Sequence, residues 1–267
     1  MPGRRHRHGD RYRHWDRHGD RYRHRNRRVV ISDYLIEHRR RVAATIVALS
    51  LVLAGTYRYR RSRLGPMADR QLLLALLAAS LADTASDTQT RVRLARLVEA
   101  LGPDAEPLLA DLIRNSSDPD QAVRTSAVRA LGRIGGGSPQ VIEALSRALT
   151  DAEGVVRQGA AISLMQLGER AAVAMPRLRL ALEDRDWRVR QAAAHALSTI
   201  APSAEDVPGF IRALDDPVWS VRVSATVALK RTGIEGRAAI PALTRAINDP
   251  HPQVRAAAAA ALRVVSR

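Results

Sequence analysis

The chain has no cysteine, one phenylalanine and a single lysine among its 267 residues. Without cysteine it can form no disulfide, thiolate metal site or cysteine nucleophile. Aromatic residues make up only 3% of the sequence, and no segment alternates apolar and polar residues, which excludes a β-rich fold. The abundant residues are Ala, Leu, Val and Arg, which favour closely packed helices.

Positive charge is concentrated at the start of the chain, although the net charge is +16. Residues 1–63 contain 18 arginines against 5 acids, whereas residues 64–267 contain 25 basic and 22 acidic residues, a net charge of only +3. Binding of a phosphate backbone requires clustered cations. We therefore assign any attraction to nucleic acid or anionic lipid to the basic tail, although a local cluster of cations further along stays open.

The tail itself, residues 1–41, is a low-complexity Arg/His sequence in which HGDRYRH occurs at 8–14 and again at 18–24. So little of it can be buried that we predict disorder. Its histidines are interspersed with arginines that would repel a cation, so we predict no metal site. Met67 offers a later start, which would make the tail upstream sequence.

Residues 42–57 (VAATIVALSLVLAGTY) carry no charge and are flanked by arginines on both sides. As a helix they span about 24 Å, short of a hydrocarbon core of about 30 Å, but flanking arginines can snorkel. We favour a transmembrane helix over two alternatives, a signal sequence with an unusually long n-region and a buried helix of a soluble protein. The seven arginines in 22–41 against five in 58–77 predict a cytoplasmic tail and an extracytoplasmic array.

A repeated motif organises the rest of the chain: an aspartate is followed six residues later by an arginine that has valine before it. The pairs are Asp118/Arg124, Asp151/Arg157, Asp184/Arg190, Asp215 or Asp216/Arg222, and Asp249/Arg255. Successive arginines are 33, 33, 32 and 33 residues apart. Such a period indicates a stacked helical array, which binds partners more often than it catalyses reactions.

Each repeat is predicted to be a helix, a turn and a second helix. The second helix begins an apolar stripe at the valine, as in Val123, Ala127, Leu131 and Ile134, and this three-four-four spacing is one helical face. First helices begin near Pro176, Pro208 and Pro241, where a missing N–H has no cost, and the repeat at 142–151 keeps the pattern without the proline. We predict a linker at 58–70 and an array over 71–267, whose first helix covers 71–82.

The recurring Asp and Arg are predicted to be structural, because a residue needed once for chemistry would not recur five times. The aspartates can cap helices, and the arginines can bridge to the turn of the neighbouring repeat. The set is Asp118, Arg124, Asp151, Arg157, Asp184, Arg190, Asp216, Arg222, Asp249 and Arg255. We call these residues the ladder.

The motif Asp–x5–Arg, with Val before the Arg, then Ala three and Leu seven residues after it, resembles the HEAT-repeat family, particularly its short bacterial form and the bilin-lyase-type members. The resemblance covers about residues 85–267. It implies an all-α, right-handed α-solenoid, an armadillo-like superhelix, whose second helices line a concave binding face. The family includes scaffolds, bilin lyases and nucleic-acid-acting members, so it does not name a function by itself.

Specificity must lie in side chains that differ between repeats. One and five residues after each ladder arginine, side chains face away from the core, and one turn later a third row follows. With the two tryptophans, the predicted partner-binding strip comprises Thr125, Arg129, Gln158, Ile162, Gln191, His195, Arg231, Trp187 and Trp219. Its mixed polar and apolar character suits a protein or peptide better than a phosphate backbone.

Trp187 and Trp219 each precede a ladder arginine by three residues. They either pack on the adjacent turn or contact the partner. His195 and His251 have no cluster of ligands around them, and the glycines at 135–137 lack the GK[ST] of a phosphate loop and end a helix instead. We predict no cofactor, no metal and no enzymatic activity. The expected function is a membrane-anchored protein-binding scaffold, with a HEAT-like lyase or chaperone and a nucleic-acid-binding tail as alternatives.

Overall fold

The computed structural model describes residues 67–83 and 87–267. The predicted tail, transmembrane helix and linker, up to residue 66, lie outside this part of the chain. Residues 74–267 form one compact unit. Among the described residues, no helix combines the length and the apolar character that crossing a bilayer requires.

Twelve α-helices and no strand occur in the described residues. They are α1 Met67–Ala82, α2 Thr88–Leu101, α3 Leu109–Asn115, α4 Gln121–Ile134, α5 Pro139–Ala148, α6 Gly154–Leu167, α7 Met175–Ala181, α8 Trp187–Ile200, α9 Val207–Ala213, α10 Trp219–Arg231, α11 Ile240–Ala246 and α12 Pro252–Val265. Odd-numbered helices are the first and even-numbered helices the second of each pair. The predicted all-helical repeat fold is confirmed. The first helix, however, begins at Met67, four residues before the predicted boundary.

Second helices form a continuous layer, since each packs against the second helix of the next pair. Small buried residues stand at these contacts, as Ala130, Ser163 and Ala196 do in successive pairs. Between α4 and α6 the backbones approach so closely that a Cβ added at Gly132 would lie 2.4 Å from Cβ of Ser163. The Ser163 hydroxyl donates to the Val128 carbonyl across this contact at 3.0 Å.

The predicted apolar stripe forms the core. Its valine, alanine and leucine positions are buried in the repeats that begin at Val123, Val156, Val189 and Val221. The last repeat departs from the pattern, because Leu262 is only half-buried whereas Val254 is fully buried. No further helix pair covers that side of α12 within the described residues, so the same position in the sequence keeps part of its exposure.

Two local features differ from the predicted repeat. Short 3-10 segments precede four of the first helices, at Gly102–Leu108, Gly168–Ala174, Ala204–Asp206 and Gly233–Ala239. Three of them begin at a glycine whose φ is 59 to 63°, a left-handed conformation that ends the preceding second helix. The second feature concerns the repeat at 142–151, which lacks the aligned proline as predicted but has Pro139 four residues before that position, at the start of α5 with Ser138 as the N-cap.

Candidate partner-binding surface

The ladder arginines join consecutive repeats. Arg157 donates from Nε and Nη2 to the two carboxylate oxygens of Asp184, both at 2.7 Å. Its remaining nitrogen, Nη1, donates to the backbone carbonyls of Asp151 at 2.7 Å and Ala152 at 3.0 Å. This is the contact between neighbouring turns that the sequence predicted for the arginines.

The same bidentate contact recurs along the array. The corresponding pairs are Arg124–Asp151, Arg190–Asp216 and Arg222–Asp249, with distances of 2.6 to 2.9 Å. Each arginine therefore binds the aspartate of the next repeat and not the one six residues before it. The open choice between the two aspartates at 215 and 216 is resolved in favour of Asp216.

The first and last arginines differ in their partners. Arg91, which lies 33 residues before Arg124 and follows Thr90 where the other ladder arginines follow valine, forms a buried ion pair with Asp118 and so extends the ladder by one repeat. Arg255 donates only to the carbonyls of Asp249 and Pro250, both at 2.9 Å, and meets no carboxylate within the described residues.

The ladder aspartates do not cap helices, contrary to the prediction. Asp184 accepts the N–H of Asp186 at 2.8 Å, which forms a tight turn before the helix. The N-cap is the residue two places later: Asp120, Asp186 and His251 accept a backbone N–H through their side chains. Each ladder carboxylate is thereby left free to face the arginine of the preceding repeat.

The ladder groups are held in their charged forms. The bond from Arg222 is the main reason that the pKa of Asp249 lies below its ordinary value. Burial by itself would raise the pKa of Asp184, but the bonds from Arg157 and from the Asp186 N–H outweigh it and lower the pKa. Ionised and fully bonded groups of this kind are suited to holding the stack together and not to proton transfer at neutral pH.

The predicted strip lies on the side of the second helices opposite the apolar stripe, although Val223 also packs against the buried cluster of Ala246, Val254 and Ala258. Its three rows stand one, five and nine residues after each ladder arginine, and we call them together the second-helix face. In the four repeats from Arg124 to Arg222, the side chains are Thr125, Gln158, Gln191 and Val223 in the first row, Arg129, Ile162, His195 and Val227 in the second, and Arg133, Gln166, Thr199 and Arg231 in the third. None of them is fully buried, and the third row is exposed throughout.

The two tryptophans have different surroundings. Trp219 stacks on the ring of His251, with centroids 4.0 Å apart and an interplanar angle of 7°, yet remains 42% exposed. Trp187 is half-buried, and the guanidinium of Arg188 lies 5.0 Å from the centre of its ring. His251, which the sequence left without a partner, is thus both the stacking partner of Trp219 and a helix cap. One face of Trp219 packs while the rest of the ring stays accessible.

His195 and Arg231 link α8 to α10. Nε2 of His195 lies 3.0 Å from the Ser224 hydroxyl, and burial, followed by the charge of Arg231, lowers the pKa of the imidazole. Arg231 donates to the Ser198 carbonyl at 3.2 Å and to Oγ1 of Thr199 at 3.0 Å. Both side chains are therefore partly committed to helix packing.

A surface pocket beside the α3–α4 turn is lined by ladder groups, among them Asp118, Arg124 and Asp151. Those charges already pair with other ladder groups, Asp118 with Arg91 and Arg124 with Asp151. In the described part of the chain, no three side chains of His, Asp or Glu converge as a metal site would require.

Solved structures with the same architecture include natural and designed repeat proteins. The complex of CpcE and CpcF of phycocyanin lyase from Nostoc sp. PCC7120 is 27% identical over 59% of this chain and 65% of that chain, with a TM-score of 0.53. A designed armadillo repeat protein in complex with the peptide (KR)4 is 20% identical over 72% of this chain and 99% of its own, with a TM-score of 0.58. Escherichia coli YibA is 24% identical over 78% and 73%, with a TM-score of 0.54.

No curated protein matches the sequence significantly. A family model described as HEAT repeats matches residues 73–165, 148–230 and 207–265, which together span most of the chain. Its three overlapping matches follow the ladder and the apolar stripe from α1 to α12. The chain belongs to the HEAT-repeat family.

Proposed function

We propose that the protein is a scaffold that binds a partner protein along the second-helix face. The observation that carries this proposal is the contrast between constant and varying positions. The ladder and the core stripe recur from repeat to repeat, whereas the row five residues after the ladder arginine changes from Arg129 to Ile162, His195 and Val227. The constant residues build the stack, and the varying, solvent-facing ones are free to specify a partner.

The chemistry of the face supports a protein partner. It combines exposed arginine side chains and half-buried aliphatic ones with glutamines and the accessible ring of Trp219, and Arg and Trp are enriched at the energetic centres of protein interfaces. The designed armadillo protein of similar fold is in complex with a peptide, which supports a peptide or protein segment as the partner. We propose that recognition is the whole activity and that no bond chemistry takes place.

Residues 42–57 would anchor the scaffold in a membrane, with the array on the extracytoplasmic side. The basic tail would then add attraction to anionic lipid, or to nucleic acid, on its own side. Protease digestion of sealed vesicles tests this arrangement. Protection of the array until the cytoplasmic side is opened would contradict the orientation, and complete extraction of the protein by carbonate would contradict the anchor.

The scaffold proposal is tested by crosslinking the full-length protein in its native membrane and identifying the protein captured. The Trp187→Ala/Trp219→Ala variant is compared with His251→Ala, which removes the stacking partner of Trp219 and the N-cap of α12 but leaves the exposed ring. We expect capture to fall in the double variant and to persist in His251→Ala. An equal loss in both, with an equal fall in melting temperature, would assign the tryptophans to packing.

A lyase or chaperone activity is the second candidate, supported by the likeness to the phycocyanin lyase complex. Such an activity needs a pocket with acids that are free to react, whereas the pocket described above is lined by paired ladder groups. Multiple turnovers by the purified chain with phycocyanin as substrate would contradict the proposal that it only binds. Binding of one phycocyanin per chain without turnover would agree with that proposal.

A further inference from the structure

Acidic and basic residues of the array are distributed unequally between the second helices and the rest of each repeat. Across the six second helices, Glu99 is the only carboxylate, although every one of these helices carries at least one arginine. The other acids of the described residues lie on first helices and connections. Many of them pair with arginines there, as in Arg212–Glu183 at 2.8 Å and Arg177–Glu143 at 3.3 Å. The near-neutral total therefore conceals an excess of cations on the second-helix face.

These cations are most available at one end. Arg96 on α2 and Arg129 on α4 occupy the same row in consecutive repeats, and both are exposed. Neither forms an ion pair with any residue that the structure describes, nor does the exposed Arg93 beside them. Arg133 in the third row is bound only to Glu99 at 3.2 Å and keeps 58% of its side-chain exposure. The ladder arginines of these two helices, Arg91 and Arg124, add no free charge here, because each is already paired with a ladder aspartate.

The other end of the face carries a single cation, Arg231 in the third row. From α6 to α12 the first two rows contain no charged side chain, since His195 has a lowered pKa and the rest are uncharged. The residues are Gln158, Ile162, Gln191, His195, Val223, Val227, Ala256 and Ala260. The exposed ring of Trp219 borders the same stretch. A ligand that follows the face from α2 to α12 thus meets cations first and mainly apolar or amide groups afterwards.

We propose that the second-helix face recognises a protein segment that is acidic at one end and apolar at the other. This inference rests on the proposed scaffold function and specifies its partner. Packed helices lie about 8–10 Å apart, and an extended chain rises about 3.3 Å per residue. Carboxylates about three residues apart therefore reach Arg96 and Arg129 together, and a segment of about 15 residues spans the face.

A protein segment fits this face better than the other polyanions or the chain's own tail. A phosphate backbone carries charge along its whole length and gains from cations along its whole length, which the first two rows from α6 to α12 do not supply. Residues 1–63, with 18 arginines against 5 acids, are repelled by Arg96 and Arg129. The acidic segment proposed for this face is opposite in charge to the basic (KR)4 peptide of the designed armadillo repeat protein.

The test uses the full-length chain and fluorescent 16-residue peptides in 0.15 M salt. One peptide carries Asp and Glu in its first half and Leu and Val in its second, another has the reverse order, a third scrambles the same residues, and a fourth replaces the acids by Lys and Arg. A 16-nucleotide single strand is the nucleic-acid probe. The Arg96→Gln/Arg129→Gln variant is compared with Arg147→Gln/Arg237→Gln, which removes two exposed arginines that lie off the second helices.

We expect one of the two segregated acidic peptides to bind more tightly than the scrambled and basic ones. Its Kd should rise about tenfold in Arg96→Gln/Arg129→Gln, because each exposed ion pair contributes up to about a factor of five, and less than about twofold in the matched control. An unchanged Kd in both variants would place the acidic peptide on the basic tail, and an equal rise in both would mean that the peptide responds only to net charge; either result would overturn the inference. Preferred binding of the basic peptide would overturn it while leaving the scaffold function standing.

Two further outcomes separate the inference from the function beneath it. Binding of the oligonucleotide, lost only in Arg96→Gln/Arg129→Gln and without binding of any peptide, would replace the protein segment by a nucleic acid. Capture of a native protein partner that is unaffected by this variant would leave the scaffold function intact and refute the charge-based specificity.

Discussion

Arg157 provides the most direct test of the ladder, because its side chain is only 7% exposed and all four of its bonds reach across a turn or a repeat boundary. Arg157→Gln leaves the carboxylate of Asp184 without its two guanidinium bonds. Removing one partner of a buried ion pair costs about 3–5 kcal/mol. Asp184 keeps 12% exposure and the N–H bond from Asp186, so the lower end, about 3 kcal/mol, applies here.

For an array of this size, a loss of about 3 kcal/mol lowers the melting temperature by about 6–12 °C. The matched control is Arg255→Gln, since Arg255 occupies the same ladder position and makes the same backbone bonds but meets no carboxylate in the described residues. Its cost is expected to be about 0.5 kcal/mol. Thermal unfolding followed by circular dichroism at 222 nm measures both, and urea unfolding checks the free energies.

A double-variant cycle with Asp184→Asn completes the test. Asp184→Asn removes the charge that Arg157→Gln leaves unpaired. The double variant should therefore lose less stability than the two single variants lose in sum, with a coupling energy of at least about 1 kcal/mol. Equal melting temperatures for the Arg157 and Arg255 variants, or additive losses in the cycle, would refute the assignment of the ladder as the main link between repeats.

Three other predictions concern packing and pH. Gly132→Ala forces a Cβ to within 2.7 Å of the Ser163 backbone and should cost about 1–3 kcal/mol. Gly159→Ala, whose Cβ meets only a valine methyl group at 3.6 Å, should be neutral or stabilising by up to about 1 kcal/mol in the same urea titration. Folding lowers the pKa of His195, so the free energy of unfolding should fall as the pH drops below about 6.5. The urea midpoint should therefore decrease from pH 7 to pH 5 in the unmodified chain, and this decrease should be smaller in His195→Gln. The lowered pKa of Asp249 gives stability that is present above about pH 4 and is lost in more acid solution, and Asp249→Asn should flatten the melting temperature between pH 5 and 3.

The fold was predictable because helix geometry leaves its period in the sequence. Apolar residues three, four and four apart mark one face of a helix, and a repeat of about 33 residues marks helix pairs that bury this face against each other. The direction of the ladder was not predictable from spacing. Arg124 lies six residues after Asp118 and 27 before Asp151, and only the stacking in three dimensions selects the distant partner.

Other details depended on neighbours that sequence reasoning did not place. Leu262 is half-buried although its counterparts are buried, because burial depends on the next pair and not on the residue itself. The stack of Trp219 on His251 joins positions 32 residues apart. Once the period is known, those positions become adjacent, three residues before one ladder arginine and four before the next, so this contact could have been found.

The charge of the array shows why a total is a poor guide to a binding surface. A sum over 64–267 near zero argued against an electrostatic role, yet the sum mixes two faces that a partner meets separately. On the first-helix side, charges of both signs pair with each other at close range, so their fields cancel locally. On the second helices, five of the six ladder arginines are neutralised by aspartates from the turns, and Glu99 is the only carboxylate left to offset the remaining cations. Because a potential at a surface falls off within about 8–10 Å in physiological salt, an approaching segment responds to Arg96 and Arg129 and not to acids on the far side of the helix pair.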